Sequence, residues 1–164
     1  MSLQIRFATP DDAVVIDRFI RELATFERAL SSVESTPERL RSQLSQDPPP
    51  FECLIAIQND QPVGFAVFYS TYSTWAATPG LHLEDLYVTP AERGQGIGRA
   101  LLQELAKITC ERGYARLEWA VLDWNQPAID FYNDLDAQPL NDWIVYRLSG
   151  KSLSQLGTDT KETA

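Results

Sequence analysis

No apolar run in the 164 residues approaches the roughly 20 needed to span a bilayer. The opening stretch, MSLQIRFATPDD, lacks both the basic segment and the apolar core of a secretory signal, so no leader and no membrane partner are expected. Cysteine is scarce. Cys53 and Cys110 cannot make a disulfide framework, and both sit in apolar-flanked segments, which reads as two buried free thiols in a reducing, cytoplasmic compartment. A single histidine, His82, excludes a His-based triad and a His-rich metal site, and no metal is expected. Basic residues are outnumbered 14 to 23, for a net charge of −9. That balance argues against nucleic acid or an anionic membrane as partner and mildly favours a cationic substrate, although an acidic surface ordinarily serves solubility alone.

What is present suits one soluble domain. Hydrophobic residues at 44% and charged residues at 23% are ordinary values. Gln4 to Phe7 reads as a strand. Thr9-Pro10-Asp11-Asp12 then opens a helix with its stripe at Ala13, Ile16, Ile20 and Leu23, and Thr36-Pro37-Glu38 opens a shorter one. Phe51–Ile57 and Val63–Tyr72, split by Asn59-Asp60, predict an antiparallel hairpin, and Leu81–Val88 a further strand. A helix follows with Ile97, Leu101, Leu105 and Ile108 on one face, then a strand over Arg116–Leu122 and a short helix over Ala128–Leu135. A last strand is expected at about Trp143–Leu148. The order predicts an α+β fold: a mixed, mostly antiparallel sheet with helices on both faces. Residues 1–150 are expected to form the domain and 151–164 a polar tail, frayed from Gly157.

The residues 86–105, LYVTPAERGQGIGRALLQEL, place glycines at 94, 96 and 98 between a strand and a helix. Each loses more backbone entropy on folding than any other residue, so the turn needs bare backbone. A helix start has unpartnered N–H groups and partial positive charge, and glycines there let a diphosphate lie directly against those amides, with Arg93 and Arg99 beside it. A P-loop needs Lys-Ser/Thr after its last glycine, where Arg99-Ala100 stand. A dinucleotide fingerprint needs a third glycine, where counting from Gly94 or Gly96 finds Arg99 or Leu101. What remains, Arg93-Gly94-Gln95-Gly96-Ile97-Gly98, fits [RQ]-x-x-G-x-[GA].

That run resembles the acyl-CoA pyrophosphate loop of the GCN5-related N-acetyltransferases (GNAT). The similarity continues through Trp124-Asn125-Gln126-Pro127-Ala128-Ile129-Asp130-Phe131-Tyr132 and covers about residues 3 to 150. It is nearest to the diamine and spermidine (thialysine acetyltransferase-like) branch, on Leu83-Glu84-Asp85-Leu86-Tyr87-Val88, on Glu22 to Glu27, and on Thr71 to Trp75. The resemblance implies the GNAT fold, acetyl-CoA as co-substrate, a homodimer, and transfer of acetyl to a small cationic amine. A peptide acceptor, or an acyl-CoA-binding module without turnover, are the alternatives. It further implies that the backbone of Leu86 and Val88 pairs with the pantetheine, and that the residues from Arg93 to Arg99 (Gly94, Gln95, Gly96, Ile97 and Gly98 between) hold the diphosphate. Asn125 and Tyr132 then stand beside the thioester.

Acyl transfer to an amine requires the ammonium to lose a proton, the carbonyl to be held, and the departing thiolate to be protonated. Tyr132 is the candidate acid, against an alternative as a core aromatic. Asn125 either contacts the pantetheine or caps its helix. Glu84 and Asp85 are neighbours on a strand and so are expected on opposite faces, Glu84 as base through water and Asp85 on the ammonium. Glu27, Trp75 and Trp143 match positions the branch uses around the amine, a carboxylate and aromatic walls for a cationic chain. Ser73 and Arg28-Ala29-Leu30 depart from more acidic patterns, which favours a short diamine or lysine-like amine over a long polyamine. His82 is expected to be an exposed residue at a strand start, and Cys110 a core residue.

Overall fold

Asn59 and Asp60 both take left-handed backbone, φ 51° and 60°, the twist that suits a two-residue hairpin turn. They fold Glu52–Gln58 (β2) back on Gln61–Ser73 (β3). This hairpin is the centre of the computed structural model, which describes residues 2–158. Gln4–Phe7 (β1) joins β2 antiparallel, Thr78–Val88 (β4) joins β3 antiparallel, and Leu117–Trp119 (β5) joins β4 parallel. The sheet order is β1-β2-β3-β4-β5. The expected α+β class holds.

The helix starts follow the local chemistry. A 3-10 turn, Pro10–Asp12, leads into Ala13–Phe26 (α1). The Thr9 N–H donates to Asp12 Oδ2 at 2.7 Å, and Arg6 of β1 grips the same carboxylate with two bonds of 2.8 and 2.9 Å. Pro37–Leu44 (α2) begins with the Arg39 N–H donating to Thr36 Oγ1 at 3.2 Å. Ala13, Ile16 and Phe19 of α1 and Leu40 of α2 pack on one sheet face, against Cys53, Ile55, Phe65, Val67 and Tyr87. Strand alternation turns Leu54, Ala66 and Phe68 to the other face, where they are buried under Ile97–Glu111 (α3) with Ile97, Leu101, Leu105 and Ile108. Arg112 pins the end of α3 to β2 through two 2.7 Å bonds to Glu52.

The chain divides into two compact units, Met1–Ala120 and Val121–Ala164. The second carries Gln126–Asn133 (α4) and Gly150–Thr158 (α5). Four expectations change. The strand from Arg116 ends at Trp119 rather than Leu122. Trp143–Leu148 forms neither strand nor helix, and Trp143, Ile144, Val145 and Tyr146 are 70% to 91% exposed. Their composition suits a strand, but a strand exists only where a neighbour takes its backbone hydrogen bonds. The polar stretch from Gly150 is helical through Thr158, with Leu153 and Leu156 one turn apart, and residues 159–164 of the expected tail lie outside the described residues. Cys110 is exposed, not buried: it lies two residues past Ile108, about 200° around α3 from the apolar stripe. Among the described residues, no helix is long and apolar enough to cross a membrane.

Candidate active site

The glycine loop begins where β4 ends. After a 3-10 turn at Pro90–Glu92, Gly94 and Gly96 take φ of 78° and 82°, and Gly96 is the N-cap of α3. A Cβ on either glycine would meet no atom within 4 Å. Packing therefore does not demand glycine here. The left-handed backbone does, and the space in front of it is open. Buried Ile97 anchors the helix start beneath, while Gln95 is held by donating to Glu92 at 2.8 Å and accepting from Gln58 at 3.1 Å. Gly96 offers no side chain to cap the first-turn N–H groups of Ile97, Gly98 and Arg99, so an anion can take that place, with the helix dipole behind it. The loop fits the diphosphate of a coenzyme A thioester, with Arg99 exposed beside it. Arg93 is engaged elsewhere: its Nε donates to the Val88 carbonyl at 2.9 Å, and its guanidinium stands over the rings of Tyr87 and Phe26 at 5.5 and 5.7 Å.

The strand before the loop is paired on one side only. β5 covers β4 from Leu81 to Leu83 and stops, whereas β3 continues to Val88. The Thr89 N–H donates to the Val63 carbonyl at 2.9 Å. By the alternation of an antiparallel ladder, Phe65–Tyr87 and Val67–Asp85 are then the bonded pairs, and the N–H and C=O groups of Leu86 and Val88 face the open edge. Arg93 occupies the Val88 carbonyl, which leaves an extended arm the two N–H groups and the Leu86 carbonyl.

The two acidic neighbours do not follow strict strand alternation. Val67 pairs with Asp85 and Phe68 with Leu83, so Glu84 is the extra residue of a β-bulge. Asp85 lies opposite Val67, on the α1 side of the sheet. Glu84 reaches that side too, its Oε2 standing 3.6 Å from His82 Nε2 while the His82 ring packs 5.1 Å from Tyr69. Both carboxylates thus serve one face, where opposite faces were expected. Glu27, the C-cap of α1, completes the group. Burial first, then the Glu84 and Glu27 charges, push the Asp85 carboxyl up to about 6. Burial and Glu84 also raise Glu27 and the Tyr69 phenol. A carboxyl near 6 accepts a proton well at neutral pH. His82 proves half-buried within β4 rather than exposed at its start. Its alternation with Glu84 was readable in the sequence, but no glycine or proline marks the bulge.

Trp75 is not brought to this group. It sits 91% exposed in the turn joining β3 to β4, and from Val67 to Ser73 alone there is roughly 20 Å of strand. Asn125, Tyr132 and Trp143 belong to the second unit. There Asn125 caps α4, its Oδ1 accepting from the Ala128 N–H at 3.4 Å. Tyr132 lies half-buried late in α4, its ring 5.5 Å from Phe131, and Trp143 is 70% exposed.

Comparison with known proteins identifies the family. A sequence profile of the Acetyltransferase (GNAT) family fits residues 17–136. The chain is 37% identical to the thialysine N-epsilon-acetyltransferase of Caenorhabditis elegans, over 96% of this chain and 99% of that one. It is 38% identical to a human spermidine/spermine N(1)-acetyltransferase-like protein, over 92% of this chain and 23% of the longer relative. Among solved structures, an integron cassette protein from V. cholerae superposes with a TM-score of 0.80 at 24% identity, covering 96% of this chain and 99% of its own, which bears on the fold. Enzymes of this family use acetyl-CoA as co-substrate, and the chain belongs to the acetyltransferase (GNAT) family as an N-acetyltransferase.

Proposed function

We propose that the chain transfers acetyl from acetyl-CoA directly to a small primary amine: a diamine, a polyamine or a lysine-like amine, the shorter ones preferred. The carrying observation is the bulge at Glu84, which gathers Glu84, Asp85 and Glu27 on one face of the strand that runs into the glycine loop. The activities named for the relatives, on thialysine and spermidine/spermine, support the same substrate class.

The loop from Gly94 to Arg99 carries the diphosphate, and the open edge at Leu86 and Val88 receives the pantetheine. The three carboxylates hold the substrate ammonium. Asp85, its carboxyl pushed up to about 6, takes its proton with Glu84 beside it. The amine then attacks the thioester carbon, the C–S bond breaks as Tyr132 gives its proton to the departing sulfur, and the second proton lost by the nitrogen restores the phenol. Asn125 caps the start of α4, and Trp143 lines the amine side. That the family profile runs across both compact units supports a single catalytic domain over residues 1–150. The exposed run Trp143–Tyr146 supports a homodimer, and the two free thiols support a cytoplasmic enzyme.

The test is thiol release from acetyl-CoA with putrescine, spermidine, lysine, thialysine and a test peptide, read with product mass, for the wild type and Tyr132→Phe. Release with a small amine, lowered about 100-fold in the variant, is expected. Release with the peptide alone, or binding of acetyl-CoA without release, contradicts the reading.

A further inference from the structure

Arg93 opens the glycine-loop motif, and its charge suits a phosphate, yet its side chain, though exposed, is engaged with the strand and helix beside it. Three contacts hold it: the 2.9 Å bond from Nε to the Val88 carbonyl, and cation–π contacts to the rings of Tyr87 and Phe26 at 5.5 and 5.7 Å. Phe26 is the last residue of α1 and Glu27, its C-cap, follows directly. Tyr87 is buried against Phe19 of the same helix, their rings 5.7 Å apart. One planar guanidinium therefore joins the end of the acyl-CoA strand to the end of the helix that presents Glu27. A carboxylate at a helix C-terminus faces the negative end of the dipole, so that position does not favour Glu27 by itself. Glu27 directly follows Phe26, whose ring is 44% exposed at the helix end.

We propose that Arg93 is a positioning residue for the amine side of the site, clamping Phe26 and thereby Glu27 against the strand that carries Glu84 and Asp85. The inference rests on the function proposed above. It assigns to Arg93 a task different from phosphate contact, which falls to the α3 amides and Arg99. A lysine cannot replace it, because a compact ammonium cannot bond the Val88 carbonyl through a mid-chain N–H while its charge lies over both rings.

The experiment compares Arg93→Ala, Phe26→Ala and the double variant with two acetyl donors, acetyl-CoA and acetyl-pantetheine, the latter lacking the diphosphate. Expected is a rise of about ten-fold in KM for the amine in Arg93→Ala with either donor, with the preference for acetyl-CoA over acetyl-pantetheine kept within about two-fold. Phe26→Ala is expected to raise the same KM, and the double variant to be no worse than Arg93→Ala. Arg93→Lys is expected to resemble Arg93→Ala. Loss of the acetyl-CoA preference with the amine KM intact makes Arg93 a phosphate ligand and overturns the clamp, as does strict additivity of the two variants. Should the wild type turn over no amine, the function fails instead. The clamp is then read without substrate, from the Tm values of the three variants: non-additive losses uphold it and additive losses overturn it. Arg93→Gln stands in if the alanine variant does not fold.

Discussion

Asp85 is the residue on which stability and chemistry pull in opposite directions. Its carboxyl moves from an ordinary 3.8 to about 6, chiefly through burial. Between those values the folded protein holds a proton that the unfolded chain has released. The stabilisation is full below about pH 4 and is lost as pH rises through 6. Asp85→Asn is accordingly expected to be more stable than the wild type at pH 7, by about 3 kcal/mol, and to flatten the pH dependence of unfolding between 4 and 6, as urea titrations at each pH will read. The same variant is expected to lose about 100-fold in kcat/KM, and with it the rise in activity as the wild type passes pH 6. A variant that is both less stable and fully active contradicts the account. The identities of these acids were plain in the sequence. Their shared face was not, because it comes from a one-residue mismatch between two strands that are each regular alone.

At the scale of elements, the glycine loop was the most legible feature and the structure gives its reason. Gly96 sits at φ 82° with open space ahead of it. In Gly96→Ala the methyl group clashes with nothing in the free protein, and the left-handed backbone costs about 1 kcal/mol. The same methyl stands where a diphosphate would lie. Calorimetry is expected to show acetyl-CoA binding at least ten-fold weaker, with Tm lowered by only a few degrees; unchanged affinity contradicts the loop assignment. The helix starts at Thr9-Pro10 and Thr36-Pro37 and the Asn59-Asp60 hairpin turn were equally readable, since each depends on a few adjacent residues. The strand expected at Trp143–Leu148 was not, because pairing is a property of two segments and composition reports on one.

For the whole molecule, that unpaired run has a consequence. Trp143, Ile144, Val145 and Tyr146 place four large apolar side chains in a row at the surface, a patch that marks an association surface more often than a free one. Sedimentation equilibrium is expected to give a dimer for the wild type and a monomer for Val145→Lys; a wild type that stays monomeric at tens of micromolar contradicts the homodimer. The most direct test of the whole account follows the acetyl group itself. The enzyme is mixed with acetyl-CoA alone, its intact mass is recorded, and thialysine is then added. Direct transfer predicts an unchanged protein mass before the amine, followed by one free coenzyme A thiol for each acetylated amine. A protein that gains an acetyl group before the amine arrives, or an amine that stays unmodified, contradicts it.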